Sequence, residues 1–480
     1  MSITGAMNAA ITGLRAAARG TEIVSNNISN ALTPTYGRRG MELSSLGGGT
    51  SGGVRIDSIS RHMNEGVVAD RRSANAAQQN SQTAVDFFRN LEDIIGLPGD
   101  PNGLAGRLAT FEQNLIAAAS RPDAQERLAV SINDAARLLD GLGTASRKVQ
   151  DMRSSADAQI AQEVGALNTA LGQVQQLNKQ ISKAMSRNMS SPTLLDQRQA
   201  ILDTIGAIVP INVVPRENGS VSIYTEGGAF LLDDTAVTIG FEKRNLVTEF
   251  QTLDAGTLSG LTLNDQDLRI SALGGGSLGG HFAVRDTYGV DAQKQLDALA
   301  RDLVERFADP AIDPTRSPGD PGLFTDSGAV FDPADEVGLA NRLSLNIAVD
   351  PAAGGEVWRL RDGLGAATPG FAGDATLLNE LRGALDAPRV PSSGSFGTGP
   401  RIAADLFTSF SSSLATTRAS AEQDMTFTAA RVTELTQMQL ADGVDTDQEL
   451  QNLLVLERAY AANARVMKAA DEMLEQLTRF

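Results

Sequence analysis

The sequence predicts a mainly α-helical protein with a β-rich insert, and three observations lead to this fold class. Apolar residues recur at alternating steps of three and four near both ends of the 480-residue chain. Long helical patterns lie inside these ends, and the pattern changes to that of strands at Ile208. We therefore expect the terminal helices to pair as a coiled coil, next to a long helical rod domain and an outer β-containing domain.

The N-terminal segment has the apolar repeat of a coiled-coil seam. Its seam residues are Ile3, Met7, Leu14, Val24 and Ile28. Pro34 and Gly37 end this helical pattern. The following GGGTSGG (47–53) lacks the Gly-Lys-Ser/Thr ending of a phosphate-binding loop, so we expect a flexible loop or a hairpin there.

The interior of the chain begins and ends with helical patterns. Predicted helices cover 64–95, 104–119 and a long region from Pro122 to about Met185, in which apolar residues from Ile160 onward keep heptad spacing. A helix of this length in a soluble protein must lie against partners along its length. Helix returns at 403–440.

The middle of the chain has the signals of strands and irregular structure. Predicted strands cover 208–214, 220–225, 229–233, 236–241 and 268–273, with a turn at Asn218-Gly219 between the first two. A helix is expected near 291–307. Residues 308–400 are rich in Pro, Gly and Asp and contain short apolar runs such as 343–349, which predicts an irregular, β-containing part in which Trp358 is a core anchor.

The last helix is predicted over 446–480, with Thr446 as its N-cap and Glu449 reaching back to complete a capping box. Its seam residues are Leu453, Leu456, Tyr460, Met467, Leu474 and Leu477, with Asn463 as the polar exception. Because both ends carry an apolar stripe, we expect them to pair with each other. The part of each stripe left uncovered favours polymerisation with identical or related subunits.

These patterns divide the chain into five predicted parts. They are an N-terminal coiled-coil helix and loop (1–60), a helical rod domain (61–205), a β-rich variable insert with the helix near 291–307 (206–400), the return of the rod domain (401–445) and a C-terminal coiled-coil helix (446–480).

Composition and charge argue against several classes of function. A formal charge of −17 argues against a nucleic-acid partner, which needs a basic surface. The chain has no cysteine, so sites that need a thiol are excluded. Its two histidines, His62 and His281, are far apart in sequence, which argues against a metal site with several histidines. Asp442, Asp445, Asp447 and Glu449 lack the spacing of a calcium loop, so we interpret them as favourable charge at a helix N-terminus. We predict no catalytic residue, no cofactor and no metal site.

The sequence also bears on targeting. No run of 18 apolar residues is present, so no membrane span is expected. The first 20 residues lack the charged and then apolar pattern of a cleavable signal peptide. This pattern indicates a cytoplasmic protein or one that is exported by a route without a signal peptide.

Three segments carry a resemblance to a known family. NNISNALTPTYGRRG (26–40) resembles the segment, close to NNIAN-NTPGYSR, that bacterial flagellar rod, hook and hook-associated proteins share. LLDQR (194–198) and the segment 442–477 resemble signatures of the hook-associated members. The matching residues are Asn26, Asn27, Ser29, Asn30, Pro34, Tyr36, Leu194, Leu195, Asp196, Gln197, Arg198, Gly443, Asp447, Glu449, Ala459, Tyr460, Asn463, Ala464 and Arg465. The chain departs from the family where Thr35 replaces the glycine after Pro34, and where 447–450 reads DQEL in place of DEEM.

The resemblance implies a structural subunit that assembles at the hook tip and joins the hook to the filament of the extracellular flagellum. Its partners would be copies of itself, the hook protein below, and a second junction protein or the filament above. Export without a cleavable signal, and a chaperone on the C-terminal helix, are further implications. The amides of Asn26, Asn27 and Asn30 either satisfy carbonyls at a helix end or fix how the segment turns back.

Other functions are compatible with parts of this pattern. The chain could be another flagellar axial protein, a hook or rod subunit, although LLDQR and the length argue against this. It could be an axial protein that carries an enzymatic insert in 206–400, where no hydrolase-like spacing of carboxylates is visible. It could also be a chaperone-like or adhesive coiled-coil protein whose ends pair without polymerising.

Overall fold

Long helices dominate the computed structural model, which describes residues 2–46, 52–187, 189 and 191–478, with side chains through 476. The helices are α1 (Ile3–Ser29), α2 (Glu65–Ile95), α3 (Leu104–Ser120), α4 (Gln125–Met185), α5 (Pro192–Ile208), α6 (Gly276–Ala283), α7 (Gly289–Ala308), α8 (Leu339–Arg342), α9 (Arg359–Asp362), α10 (Thr376–Asp386), α11 (Ala403–Ala441) and α12 (Thr446–Thr478). This architecture confirms the predicted mainly helical fold.

The strands form small antiparallel sheets. They are β1 (Arg38–Ser45), β2 (Val54–His62), β3 (Ile211–Pro215), β4 (Val221–Thr225), β5 (Phe230–Leu232), β6 (Ile239–Gly240), β7 (Leu261–Leu263), β8 (Gln266–Leu268), β9 (Phe324–Asp326) and β10 (Leu343–Leu345). Among the described residues, the pairs are β1 with β2 and β9 with β10, and the three-stranded sheets have the orders β3-β4-β5 and β6-β7-β8. All but the first of these sheets lie in the middle of the chain.

The two terminal helices pack against each other in opposite directions. A Cβ atom on Gly13 would lie 2.6 Å from Nδ2 of Asn463, and one on Gly20 would lie 2.8 Å from Cδ2 of Leu456. The contacts therefore recur every seven residues, upward along α1 and downward along α12. This repeat confirms the predicted pairing of the chain ends as an antiparallel coiled coil.

A large core joins the N-terminal half of α4 to elements from the middle and the end of the chain. Leu115 of α3, Leu138 of α4, Leu299 of α7 and Phe407 of α11 belong to one buried cluster. The helix α11 also packs along α2. The long helix thus has partners along its first half, as its length requires.

A second core covers the other half of α4. Ile160 and Leu171 of α4 pack with Ile205 of α5 and Ile223 of β4. Heptad spacing from Ile160 onward therefore marks the face that α5 and the small sheets cover. The apolar face of α4 is covered within the chain.

Buried arginines fix the middle of the chain to α4. Arg285 and Asp157 are both fully buried, and Nη1 of Arg285 lies 2.7 Å from Oδ1 of Asp157. Arg153 donates to the carbonyl oxygens of Arg285, Thr248 and Gln251. A buried charge needs such hydrogen bonds to offset its desolvation, and those of Arg153 anchor the loop before β7.

Several local predictions differ from the structure. The predicted strand over 268–273 is wrong, because β8 ends at Leu268 and Ile270–Ala272 form a 3₁₀ turn. The expected helix near 291–307 is present as α7, which continues from α6 through a π-helical turn at Val284–Tyr288. Trp358 is half-buried under the guanidinium of Arg359, so it is not a core anchor.

A flexible loop or a hairpin was expected at 47–53, and β1 and β2 pair as antiparallel strands on either side of this segment. The helix α5 was not predicted. The glycine-rich loop 47–53 connects the two strands of the hairpin, although 47–51 lie outside the described residues. Gly53, at its end, accepts a hydrogen bond from the amide of Leu46. These two elements carry much of the site described next.

Candidate functional site

The segments singled out by their motifs meet at one place, beside the end of α1. We call this place the polar junction and define it by Asn27, Tyr36, Arg38, Arg39, Arg61, Asp196, Gln439, Asp445 and Glu449. It joins the exit of α1, the β1–β2 hairpin, the start of α5 and the connection between α11 and α12. The chain is therefore tied together here across most of its length.

Asn27 is the buried centre of the turn that follows α1. Its side chain is 0% exposed. Its Oδ1 accepts hydrogen bonds from the hydroxyl of Tyr36 (2.7 Å) and the amide of Arg39 (3.0 Å), and its Nδ2 donates to the carbonyl of Arg39 (2.9 Å). Burial is the main cause that raises the pKa of the Tyr36 hydroxyl, which keeps it a donor at neutral pH. Asn27 thus fixes how the chain turns back into β1.

The neighbouring asparagines act differently. Nδ2 of Asn30 donates to the carbonyl of Asn26 (2.9 Å) and so satisfies a carbonyl at the end of α1. Asn26 lies half-buried beside the start of α5. Each of the two interpretations of the asparagine motif therefore holds for a different residue. Asn30 satisfies a carbonyl at the helix end, and Asn27 fixes how the chain turns back.

Asp196 of the LLDQR segment holds the hairpin against α5. Its Oδ1 accepts from the amide of Gly37 (3.1 Å) and from Nε of Arg61 (2.7 Å). Its Oδ2 accepts from the guanidinium of Arg39 (3.2 Å). One carboxylate thus connects α5 to both strands of the hairpin through charge-assisted hydrogen bonds.

Arg198 of the same segment acts on the opposite side of α5. Its guanidinium donates to Oδ1 of Asn178 (3.0 Å) and to the carbonyl of Gly219 (2.8 Å). Asn178 in turn pairs with the backbone of Val221 through both its amide atoms. Burial lowers the pKa of Arg198 to about 10, so the side chain stays charged at neutral pH. It fastens the β3–β4 turn to α4 and α5.

The C-terminal motif joins the polar junction through Glu449. This side chain is 1% exposed, and its Oε1 lies 2.7 Å from Nε of Arg38. The predicted capping box is therefore wrong. Asp445 is the residue that caps α12, because its Oδ1 accepts from the amides of Asp447 (2.9 Å) and Gln448 (3.1 Å). Glu449 lies one position too far along the helix to bond back to its N-cap.

The connection between α11 and α12 is also tied to the start of the chain. Gln439 donates to the carbonyl of Pro34 and accepts from Nε of Arg71 (2.6 Å). Asp442 accepts from Nδ2 of Asn64 (2.9 Å). These bonds place the α11–α12 connection on the turn after α1, independently of Glu449.

The predicted seam residues lie between α1 and α12 to different extents. Val24 is buried, and Ile3, Met7, Leu14, Ile28, Leu453, Leu456 and Met467 are half-buried, as is Asn463. Tyr460 is 50% exposed and Leu474 is 38% exposed. The side chain of Leu477 lies outside the described residues.

The remaining motif residues are spread around the polar junction and along α12. Pro34, Leu194, Leu195, Gly443 and Ala459 are half-buried, whereas Ser29, Gln197, Asp447, Ala464 and Arg465 are exposed. The structure brings Asn27, Tyr36, Asp196 and Glu449 together with residues that the sequence reasoning missed. These are Arg38, Arg39, Arg61 and Gln439. Asp445 was predicted as favourable charge at a helix N-terminus, and it caps α12. The available signal was the adjacent pair Arg38 and Arg39 in an acidic chain, because two neighbouring arginines are expected to pair with carboxylates.

The histidines and the acidic run have structural partners. His62 is exposed on β2 beside Ser60 (3.1 Å). His281 lies 3.7 Å from Glu163, and burial lowers its pKa. Within the described part of the chain, no three His, Cys, Asp or Glu residues form a group that could hold a metal ion. Among the residues described, no helix combines the length and apolar character needed to cross a membrane.

Two family models match this chain. The model described as the flagellar hook-associated protein FlgK helical domain matches residues 88–310, and that of the flagellar basal body rod FlgEFG protein C-terminal region matches 434–480. The second match contains the end of α11, the N-cap Asp445 and all of α12. Both family models describe flagellar axial proteins, and this is the class of protein that the chain resembles.

Relatives narrow the class further. Flagellar hook-associated protein 1 of Salmonella typhimurium is 27% identical over 61% of this chain and 57% of its own length, so the chain matches just over half of that relative. The protein of the same name from Escherichia coli is 23% identical over 98% of both chains, and that from Bacillus subtilis is 20% identical over 94% of this chain and 93% of its own. The solved hook junction protein FlgK from Burkholderia pseudomallei is 23% identical, covers 54% of this chain and 47% of its own, and has a TM-score of 0.44. The chain is thus similar to flagellar hook-associated protein 1, and the match of the FlgK helical-domain model to residues 88–310 supports the same protein.

Proposed function

We propose that this chain is a structural subunit of the bacterial flagellum that assembles at the tip of the hook and joins the hook to the filament. The observation that carries the proposal is the antiparallel pair of terminal helices, tied by the polar junction to the rest of the chain. The similarity of the chain to flagellar hook-associated protein 1 supports the same function. A subunit that transmits force between two tubes needs its assembling helices fastened to its body, and Arg38, Asp196 and Glu449 supply this fastening.

An exposed face of α12 supports self-assembly. Val455, Val466 and Met473 are exposed, and with Ala462 and Ala469 they follow steps of three, four or seven residues along one side of the helix. Such a stripe is unfavourable in water. Stacking of further copies would bury it. The predicted seam residues, Leu474 included, would then be buried partly within a subunit and partly between subunits.

The partners and location follow from this proposal. The hook protein would lie below the subunit, and a second junction protein or the filament above it. The stripe on α12 would need covering before assembly, which a chaperone on that helix would provide. We propose export without a cleavable signal and a final place in the extracellular flagellum.

The test is a strain that lacks this chain. We expect it to complete its hooks and to shed filament subunits into the medium, and expression of the chain should restore filaments. Val466→Asp should fold but fail to restore them, because it adds a charge to the stripe. Ala461→Asp, exposed on the same helix outside the stripe, is the matched control and should restore them. Incomplete hooks in the deletion strain would instead indicate a hook or rod subunit.

A further inference from the structure

A cavity of about 560 Å³ lies where α2, α7 and α11 meet, remote in sequence from the motif segments. Four aromatic side chains form part of its wall. Phe88 and Tyr288 stand with their centroids 4.9 Å apart, and the buried Phe396 and Phe410 also line it. The volume is in the range of small-molecule sites, which combine aromatic side chains with polar groups that orient the ligand. Polar side chains of this kind, such as those of Thr287, Ser409 and Arg401, also line this cavity.

The backbone beside the cavity is irregular. Tyr288 is the last residue of the π-helical turn at Val284–Tyr288, between α6 and α7. Turns of this kind are rare and occur often at functional sites, because the extra residue redirects side chains. Here the turn places Thr287 and Tyr288 on the cavity wall.

Arg401 supplies the positive charge of the cavity. Its backbone is held by Arg389, with an amide-to-carbonyl distance of 2.7 Å, and by a hydrogen bond from Arg306. Its guanidinium donates to Oγ of Ser409 (3.0 Å). In the part of the chain that the structure describes, no carboxylate lies within ion-pair distance of it. The carboxylate of Asp291 also lines this cavity, but its Oδ1 lies 3.4 Å from Nζ of Lys294 and so is paired with that side chain.

We propose that this cavity binds a small aromatic carboxylate, with its ring among Phe88, Tyr288, Phe396 and Phe410 and its carboxylate on Arg401. Charge complementarity selects the anion, because Arg401 is the one cation among the described residues of the cavity wall, and its charge is unmatched there. Aromatic rings pack favourably on an aromatic wall. A guanidinium binds a carboxylate through charge-assisted hydrogen bonds. This site is independent of the proposed assembly.

The experiment is calorimetric titration of the full chain with phenylacetate and with 3-phenylpropionate. We expect saturable binding of at least one of them at a ratio of one to one. Phenylacetamide, which has the same ring and no charge, should bind about tenfold more weakly or worse, as expected when a charge-assisted hydrogen bond is lost. A peptide that ends in phenylalanine distinguishes a free acid from a peptide carboxyl end as the source of this chemistry.

Two variants test the assigned residues. Arg401→Gln should weaken binding about tenfold or more. Ser413→Trp fills the mouth of the cavity from the exposed side of α11 and should abolish binding. Arg382→Gln removes an exposed arginine that does not line the cavity and should leave binding unchanged. Absence of saturable binding in the wild-type chain, or equal affinity in Arg401→Gln, overturns the proposal.

Discussion

Arg38 and Glu449 are 411 positions apart in sequence, yet Nε of Arg38 donates to Oε1 of Glu449 over 2.7 Å. Glu449 is almost completely buried, whereas the side chain of Arg38 is 29% exposed. The pair joins the first strand after α1 to the first turn of α12. It therefore closes the chain at the base of the paired terminal helices.

Reversing this pair tests whether the charge interaction itself closes the chain. Arg38→Glu and Glu449→Arg should each destabilise the contact by about 1–3 kcal/mol, because each places like charges together at a partly buried site. The double variant should recover part of this loss. Urea unfolding, followed by circular dichroism, gives the free energy of unfolding of the wild type, the two single variants and the double variant. Equal loss in the double variant and in the sum of the single variants would argue against a direct interaction.

Asn27→Ala should lower the free energy of unfolding by about 2 kcal/mol or more, since it leaves the backbone of Arg39 and the hydroxyl of Tyr36 without their buried partner. Asn8→Ala, at an exposed position of the same helix, should change it by less than about 0.5 kcal/mol. Denaturant midpoints provide the measurement. A similar effect of both substitutions would show that the turn is held by other contacts.

The seam gives a prediction that separates folding from assembly. Val24 is 5% exposed and Leu474 is 38% exposed. Val24→Asp should cost several kcal/mol, at least about 3, because it buries a charge. Leu474→Asp should cost about 1 kcal/mol or less in the isolated chain.

Both variants should nevertheless fail to restore filaments in the deletion strain. Val24→Asp would act within a subunit, and Leu474→Asp would act between subunits. Hydrogen exchange of α1 and α12 measures the first effect, and motility measures the second. Normal motility in either variant would contradict this account.

Asp297 gives a pH dependence. It is 3% exposed, and burial is the main cause that raises its pKa from 3.8 to about 6. Its carboxylate accepts from the amides of Gly338 and Ala340 (2.9 Å each). Because the pKa of the folded state is raised, the contribution of this group is fully present below pH 3.8 and is lost as the pH rises through 6.

The difference in unfolding free energy between wild type and Asp297→Asn should therefore change by about 2–3 kcal/mol between pH 4 and pH 7. The wild type should be favoured at pH 4. Asp254→Asn, at an exposed site, should show no such change. Urea unfolding at pH 4 and pH 7 measures this difference in unfolding free energy. If the difference for Asp297→Asn is the same at both pH values, the raised pKa of Asp297 is contradicted.

The helices and their pairing could be predicted from the sequence because apolar spacing reports directly which face of a helix is covered. The steps from Ile3 to Ile28 and from Leu453 to Leu474 identify the faces of α1 and α12 that meet. Strand predictions from short apolar runs were less reliable. Residues 268–273 have the composition of a strand but form the end of β8 and a 3₁₀ turn.

The polar junction could be predicted only in part. The motifs identified Asn27, Asp196 and Glu449, but the partners of these residues lie 12, 159 and 411 positions away. Local rules cannot supply such contacts. Local reasoning assigned Glu449 to a capping box, whereas the tertiary contact with Arg38 and the cap by Asp445 determine the actual arrangement.

The central claim is that this chain forms the junction between hook and filament. Immunogold electron microscopy of intact flagella tests it most directly, with an antibody raised against the largely exposed loop 365–374. We predict label in one narrow band where the hook ends and the filament begins. Label distributed along the hook or the filament, or absent from flagella altogether, would contradict the account.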